Sequence, residues 1–297
     1  MNMVVSHWSA NIAVLAVCLV LAAVHLAGVR GMVADARRGA GAAPAAPGRE
    51  VIAFYAGLAV VLLALVSPVG YWSQVFIWVR SVQDLLLAVV APPLIVLGAP
   101  WLPLRRGLGR PAARSSAAPA AARRPAHGWL SWPVAVTAAF TVVWCGWHVP
   151  VLYDAALRYP AVYAAEVVSY LGVGVAFWLQ LIGSRPLTPQ FGPLLRVMLI
   201  GATVVTSTIL GMVLGFGANV IYPAYRGVGH HHLLTVVADQ QVAGAILWVL
   251  VLPSYIITGV ALLVRWLNDE ESEALALGFD RLLRPPKSAW PSRTGLR

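Results

Sequence analysis

The sequence predicts an all-α, polytopic membrane helix bundle with seven transmembrane helices, its amino terminus outside and its carboxyl terminus cytoplasmic. Three observations carry that prediction. Of 297 residues, 60% are apolar and only 11% are Asp, Glu, Lys or Arg, against about 25% charged residues in a soluble globular domain. The apolar residues fall into runs near the ~20 residues that a helix needs to cross hydrocarbon. The basic residues gather in alternate connections. The same composition excludes a disordered chain, a collagen-like fibre and a disulfide-stapled module, because Cys18 and Cys145 are the only cysteines and both sit in apolar runs.

The seven runs cover residues 12–29, 51–67, 75–97, 133–147, 162–182, 194–216 and 236–266. The first has nothing basic before it and Arg30, Arg37 and Arg38 after it. That reverses the charge order of a signal peptide and predicts a retained span. The regions after spans one, three, five and seven hold 18 of the 21 Lys and Arg residues. The other connections hold only Arg158 and Arg226, with Arg80 inside span three. The positive-inside rule then sets the orientation. The net charge of +10 is thus read as basic cytoplasmic loops, not as a nucleic-acid surface.

The domain layout follows: a bundle over residues 1–267, interrupted by a flexible cytoplasmic linker at about 104–126, and a cytoplasmic tail over 268–297. The linker is rich in Ala, Pro, Arg and Ser and is expected near anionic lipid headgroups. The tail opens with Asp269, Glu270, Glu271 and Glu273 and places Leu275, Phe279, Leu282 and Leu283 beyond them. It reads either as an amphipathic surface helix or as a solubilising, disordered segment.

Ionisable groups inside a membrane cost about 2.5–3.5 kcal/mol each on insertion scales, so their placement is informative. Span three carries Arg80, Gln83 and Asp84 at spacings that share one helix face. Span five brings Tyr163, Glu166 and Tyr170, and span seven Asp239, Gln240 and Gln241. Span four ends through Cys145, Trp147 and His148. All these positions fall toward the outer end of their spans, leaving the inner half to Ala, Val, Leu, Ile and Gly. They predict a polar cup opening outward, composed of Arg80, Gln83, Asp84, His148, Tyr163, Glu166, Asp239 and Gln240. One reading has Arg80 neutralise Asp84 or Glu166 and pin helices together. The other has the cup hold a metal, a partner helix or a small solute.

Candidate metal ligands are Cys145 and His148, at i and i+3, with His230, His231 and His232 in the outer loop. Thiolate with imidazole suits copper. The alternatives are ordinary helix packing for the first pair and a solvated loop for the second. No phosphate-binding loop, nucleophile elbow or H-E-x-x-H pattern occurs, which predicts a protein that is not an enzyme. Ser207 and the threonines at 203, 206 and 208 lie mid-span, where hydroxyls bond back to helix carbonyls.

Three stretches carry a family resemblance. The first is S-V-Q-D-L-L-L-A-V-V-A-P-P-L-I-V-L-G-A-P from Ser81 to Pro100. The second is W-H-V-P-V-L-Y-D-A-A from Trp147, running on through Tyr163, Glu166, Phe177 and Trp178. The third is I-Y-P at Ile221, then A-D-Q-Q-V-A-G from Ala238 to Gly244, with Trp248. In order and spacing they resemble the CtaG family, membrane assembly factors for cytochrome c oxidase implicated in copper delivery. The resemblance implies oxidase subunits or copper chaperones as partners, copper as a cofactor, and residence as a multi-pass protein of the bacterial plasma membrane. It also implies a departure. The family has His where this chain has Arg80, Asp84, Tyr163 and Val167, and Arg80 is permanently protonated and ligates no cation. The alternative is a diverged scaffold or small-solute-handling protein that keeps the fold without metal binding.

Overall fold

The computed structural model describes residues 11–38, 47–109, 131–187, 191–227 and 234–283. Among them the chain is helical, with no strand and one isolated antiparallel bridge between Ser184 and Leu187. Six helices are long and apolar enough to cross a membrane. They are α1 (Ile12–Arg37), α2 (Gly48–Leu65), the composite Ile77–Leu97, α9 (Pro160–Ile182), α10 (Pro193–Gly215) and the composite Val236–Asn268. A seventh crossing is made if α7 (Ser131–Trp147) and α8 (Pro150–Arg158) form one span, bent by 69° where they meet.

Local sequence explains the boundaries. Asn11 and Thr235 accept hydrogen bonds from Val14 and Ala238 backbone N–H groups and start their helices. Pro68, Pro150, Pro160 and Pro193 open α3 (Pro68–Trp72), α8, α9 and α10, where the missing N–H costs nothing. Proline also holds its predecessor extended, so Val149 and Tyr159 break the chain at both ends of α8. Span three is not one regular helix. The segment α4 (Ile77–Leu85) passes through a π-helical turn at Leu86–Val90 into α5 (Ala91–Leu97). Pro92 and Pro93 cannot donate to carbonyls one turn back, and the widened turn absorbs the mismatch. A Cβ at Gly174 of α9 would lie 2.7 Å from Pro92 Cγ and 2.9 Å from the Ala88 carbonyl oxygen, so this step docks on glycine.

Two boundaries gain detail. The start of the 104–126 linker is ordered, because α6 (Trp101–Gly107) packs on α1. Gly28 faces the Pro103 carbonyl, and Arg106 binds Asp35 bidentately at 2.9 and 3.2 Å. Residues 110–126 lie outside the described residues. The last span breaks at Leu250 into α11 (Val236–Val249) and α12 (Val251–Leu283), and α12 carries the helix through the first half of the tail. The interruption stands just before Pro253, which lacks a donor for the Val249 carbonyl. Residues 284–297 lie outside the described residues.

The core is aromatic. Phe140 stacks on Phe177 at 4.7 Å, and Trp178 on Tyr255 at 5.7 Å. His25 of α1 is buried against Phe54 of α2 at 4.2 Å. Thr203 and Thr206 donate to carbonyls four residues back, as their mid-span placement predicts. A second close helix contact joins α10 to α11. A Cβ at Gly244 would meet Gly215 N at 2.3 Å and the Gly211 carbonyl oxygen at 2.6 Å. Gly244→Val is therefore expected to cost about 1–3 kcal/mol or more by overpacking and to lower the thermal midpoint in detergent. Gly201→Ala, where nothing lies within 4 Å of the added Cβ, should leave that midpoint unchanged or raise it.

Candidate functional site

The site is built at the end of the bundle where α4, α9 and α11 begin and α7 finishes. Its floor is Arg80 of α4, with no exposed surface. Arg80 Nη2 donates to Glu166 Oε2 of α9, so the buried guanidinium is neutralised across two helices by Glu166 and not by Asp84. The guanidinium carbon also lies 4.4 Å from the ring centroid of Tyr153 and 5.9 Å from that of Tyr163. A buried cation over aromatic faces gains further stabilisation.

Asp84 lies one turn along from Arg80 and faces His148, whose Nε2 is 4.0 Å from Asp84 Oδ2. His148 Nδ1 is 2.8 Å from the Trp144 carbonyl oxygen. A carbonyl only accepts, so Nδ1 carries a hydrogen and Nε2 is the nitrogen presented to Asp84. Arg80, Asp84, His148, Tyr163 and Glu166 therefore lie together.

The other three cup residues hold backbone. Asp239 accepts from Ile77 N and Trp78 N, both at 2.9 Å, and caps α4 from 161 and 162 residues away. Phe76, the residue before that helix, offers no capping side chain. Gln240 accepts from Ile221 N at 2.8 Å and donates to the Leu214 and Asn219 carbonyls, fixing the chain after α10. Gln83 donates to the Ala64 carbonyl at 2.7 Å and joins α4 to the end of α2. Each supplies a bond that lipid cannot.

Sequence reasoning placed Tyr222 and Tyr225 of the outer loop at this end and missed Tyr153, which joins them in an aromatic cover. The 69° bend lays α8 over the site and turns Tyr153 inward, where its ring stacks on Tyr222 at 4.0 Å. Tyr222 donates to the His148 carbonyl and Tyr225 to the Ser73 carbonyl, both at 3.0 Å. Burial pushes the Tyr225 phenol up to about 12, so it stays a neutral donor. Asp154 Oδ2 accepts from Ala224 N at 3.3 Å, tying α8 to the same loop. Pro150 was the available signal, since it forbids α7 from running straight on. Several buried atoms here have no direct protein partner: Arg80 Nε and Nη1, Asp84 Oδ2, Glu166 Oε1, His148 Nε2, Tyr153 OH, Tyr170 OH and Trp144 Nε1. Such atoms are where water or a small polar guest binds.

Among the described residues no three His, Cys, Asp or Glu side chains converge to hold a metal, and a guanidinium stands beside the one imidazole. Cys145 is half-buried and packed against the core. His230, His231 and His232 lie outside the described residues.

Removing one partner of a buried pair leaves an unpaired charge and costs about 3–5 kcal/mol. Arg80→Met and Glu166→Gln should each lower the thermal midpoint sharply. The double variant should recover part of the loss, and the coupling energy of that cycle measures the pair. Asp84→Asn should show a smaller coupling to Arg80→Met than Glu166→Gln does.

The model of the family described as cytochrome c oxidase caa3 assembly factor (Caa3_CtaG) matches residues 12–269. The chain is 26% identical over 243 residues to an uncharacterized protein of Mycobacterium leprae, covering 77% of this chain and 36% of that protein. It is also 26% identical over 246 residues to uncharacterized proteins of Mycobacterium bovis and Mycobacterium tuberculosis, covering 77% of this chain and 35% of each. The chain thus spans roughly a third of the length of these curated relatives. No solved structure matches it. By a match that takes in every described helix crossing, the chain belongs to the cytochrome c oxidase caa3 assembly factor family.

Proposed function

We propose that this chain assists cytochrome c oxidase assembly in the bacterial plasma membrane as a membrane chaperone with no catalytic activity of its own, and that its cup holds no metal. Oxidase subunits or copper chaperones are its partners, met at the outer end of the bundle. The pathway rests on the family, and the absence of metal from the cup rests on one observation: Arg80 fills the polar nucleus and is neutralised by Glu166. A permanently charged guanidinium repels a metal cation and supplies no lone pair. The uneven distribution of Lys and Arg supports an outward-facing site. Copper delivery is the second reading, favoured by His148 Nε2 and Asp84 Oδ2, two unpartnered atoms facing each other at 4.0 Å. Cys145 and the His230–His232 run would extend such a route.

Deleting the gene should lower oxidase activity, and added copper should not restore it. Restoration by copper would favour delivery, and unchanged activity would remove the assembly role. Purified protein loaded anaerobically with Cu(I) should retain well under one equivalent. A full equivalent lost on His148→Ala would overturn the metal-free reading. A reporter fused within 111–124 should report the cytoplasm.

A further inference from the structure

The end of α1 opposite the cup carries a feature that the assembly reading leaves unused. An open cavity of about 440 Å³ is lined by Val29, Arg30, Val33, Ala34, Arg37 and Arg38. Arg30, Arg37 and Arg38 are exposed, and among the described residues none of them forms an ion pair. The acidic residue of α1, Asp35, is engaged instead by Arg106. Three exposed guanidinium groups, none of them in an ion pair among the described residues, thus stand around a floor of valine and alanine.

The rest of the helix says what fits there. α1 lies at the edge of the bundle, with 17% of its apolar window buried. Ile12, Leu19, Leu26 and Val33 repeat at seven-residue intervals along one stripe, and the first three are exposed at 76%, 68% and 39%. On a membrane-spanning helix that stripe is a bed for acyl chains. At 1.5 Å per residue, Arg30 and Arg37 lie about 10 Å apart along the axis at its end. Guanidinium groups bind phosphate through paired N–H donors. A phosphate at the rim with hydrocarbon running down the stripe satisfies both halves of the surface.

We propose that Arg30, Arg37 and Arg38 form a binding site for one anionic phospholipid, its phosphate among the three guanidinium groups and its chains along Leu26, Leu19 and Ile12. The proposal is independent of oxidase assembly, since it needs only a chain that crosses a membrane. The ligand is a lipid and not free phosphate, because the apolar stripe contributes half of the surface.

The test uses the full chain in nanodiscs containing equal phosphatidylglycerol and phosphatidylcholine. Lipid retained after mild detergent extraction is identified by native mass spectrometry. The wild-type chain should retain phosphatidylglycerol over phosphatidylcholine. Since each basic residue near such headgroups is worth about 1 kcal/mol, Arg30→Gln/Arg37→Gln/Arg38→Gln should cut that preference by about tenfold or more. The triple Lys variant should keep most of it, and both variants should melt like the wild type. Equal retention of the two lipids by the wild type, or an undiminished preference in the Gln variant, overturns the site. Displacement of the lipid by millimolar inorganic phosphate overturns the lipid as its occupant.

Discussion

A guanidinium with no exposed surface, inside a protein that crosses a membrane, must be neutralised by the protein itself, and the rest of the site follows from that requirement. Arg80 is held by Glu166 on one side and by the faces of Tyr153 and Tyr163 on another. These partners come from α9 and α8 and Arg80 from α4, so the charge fixes how three elements meet. α8 in particular has a reason to fold over: its Tyr153 ring completes the shell around the cation. The stack of Tyr153 on Tyr222 and the Asp154–Ala224 bond then carry that constraint into the loop after α10.

Hydrogen bonds around this nucleus obey the same rule. In hydrocarbon a helix end finds no water, so its N–H groups need protein acceptors. Asp239 supplies both acceptors for the start of α4, and the helix dipole favours a carboxylate there. Gln240 and Gln83 do the same for carbonyls at the ends of α10 and α2. The polar residues of the bundle therefore fall into two groups. One set ties backbone ends together, and the other faces inward with atoms left unpaired.

Hydropathic length made the crossings legible in the sequence, and helical spacing made the shared face of Arg80 and Asp84 legible. Partner choice was not. Glu166 and Asp84 are both carboxylates within reach of span three, and only the packing of α9 on the widened turn before Pro92 decides between them. Asp239 was legible as a polar residue of a span but not as a helix cap. Its true partners, Ile77 N and Trp78 N, are backbone groups that no side-chain pattern announces. Composition misread the start of the linker, because Leu104–Gly107 becomes helical through Gly28 and Gly107, whose bare Cα atoms admit a close neighbour. Tyr153 sat in plain view, but its role depends on a bend set by Pro150.

A permanent charge gives the Arg80–Glu166 pair its significance. The outer end of the bundle carries Arg80, Asp84, Tyr163 and His148 around Glu166. An imidazole cluster gathers its cation from solution, and its charge balance changes with occupancy. A guanidinium is a cation built into the chain, so the balance around Arg80 is set at folding and stays set. The atoms of Asp84, His148, Tyr153 and Tyr170 without a direct protein partner lie buried around that fixed charge.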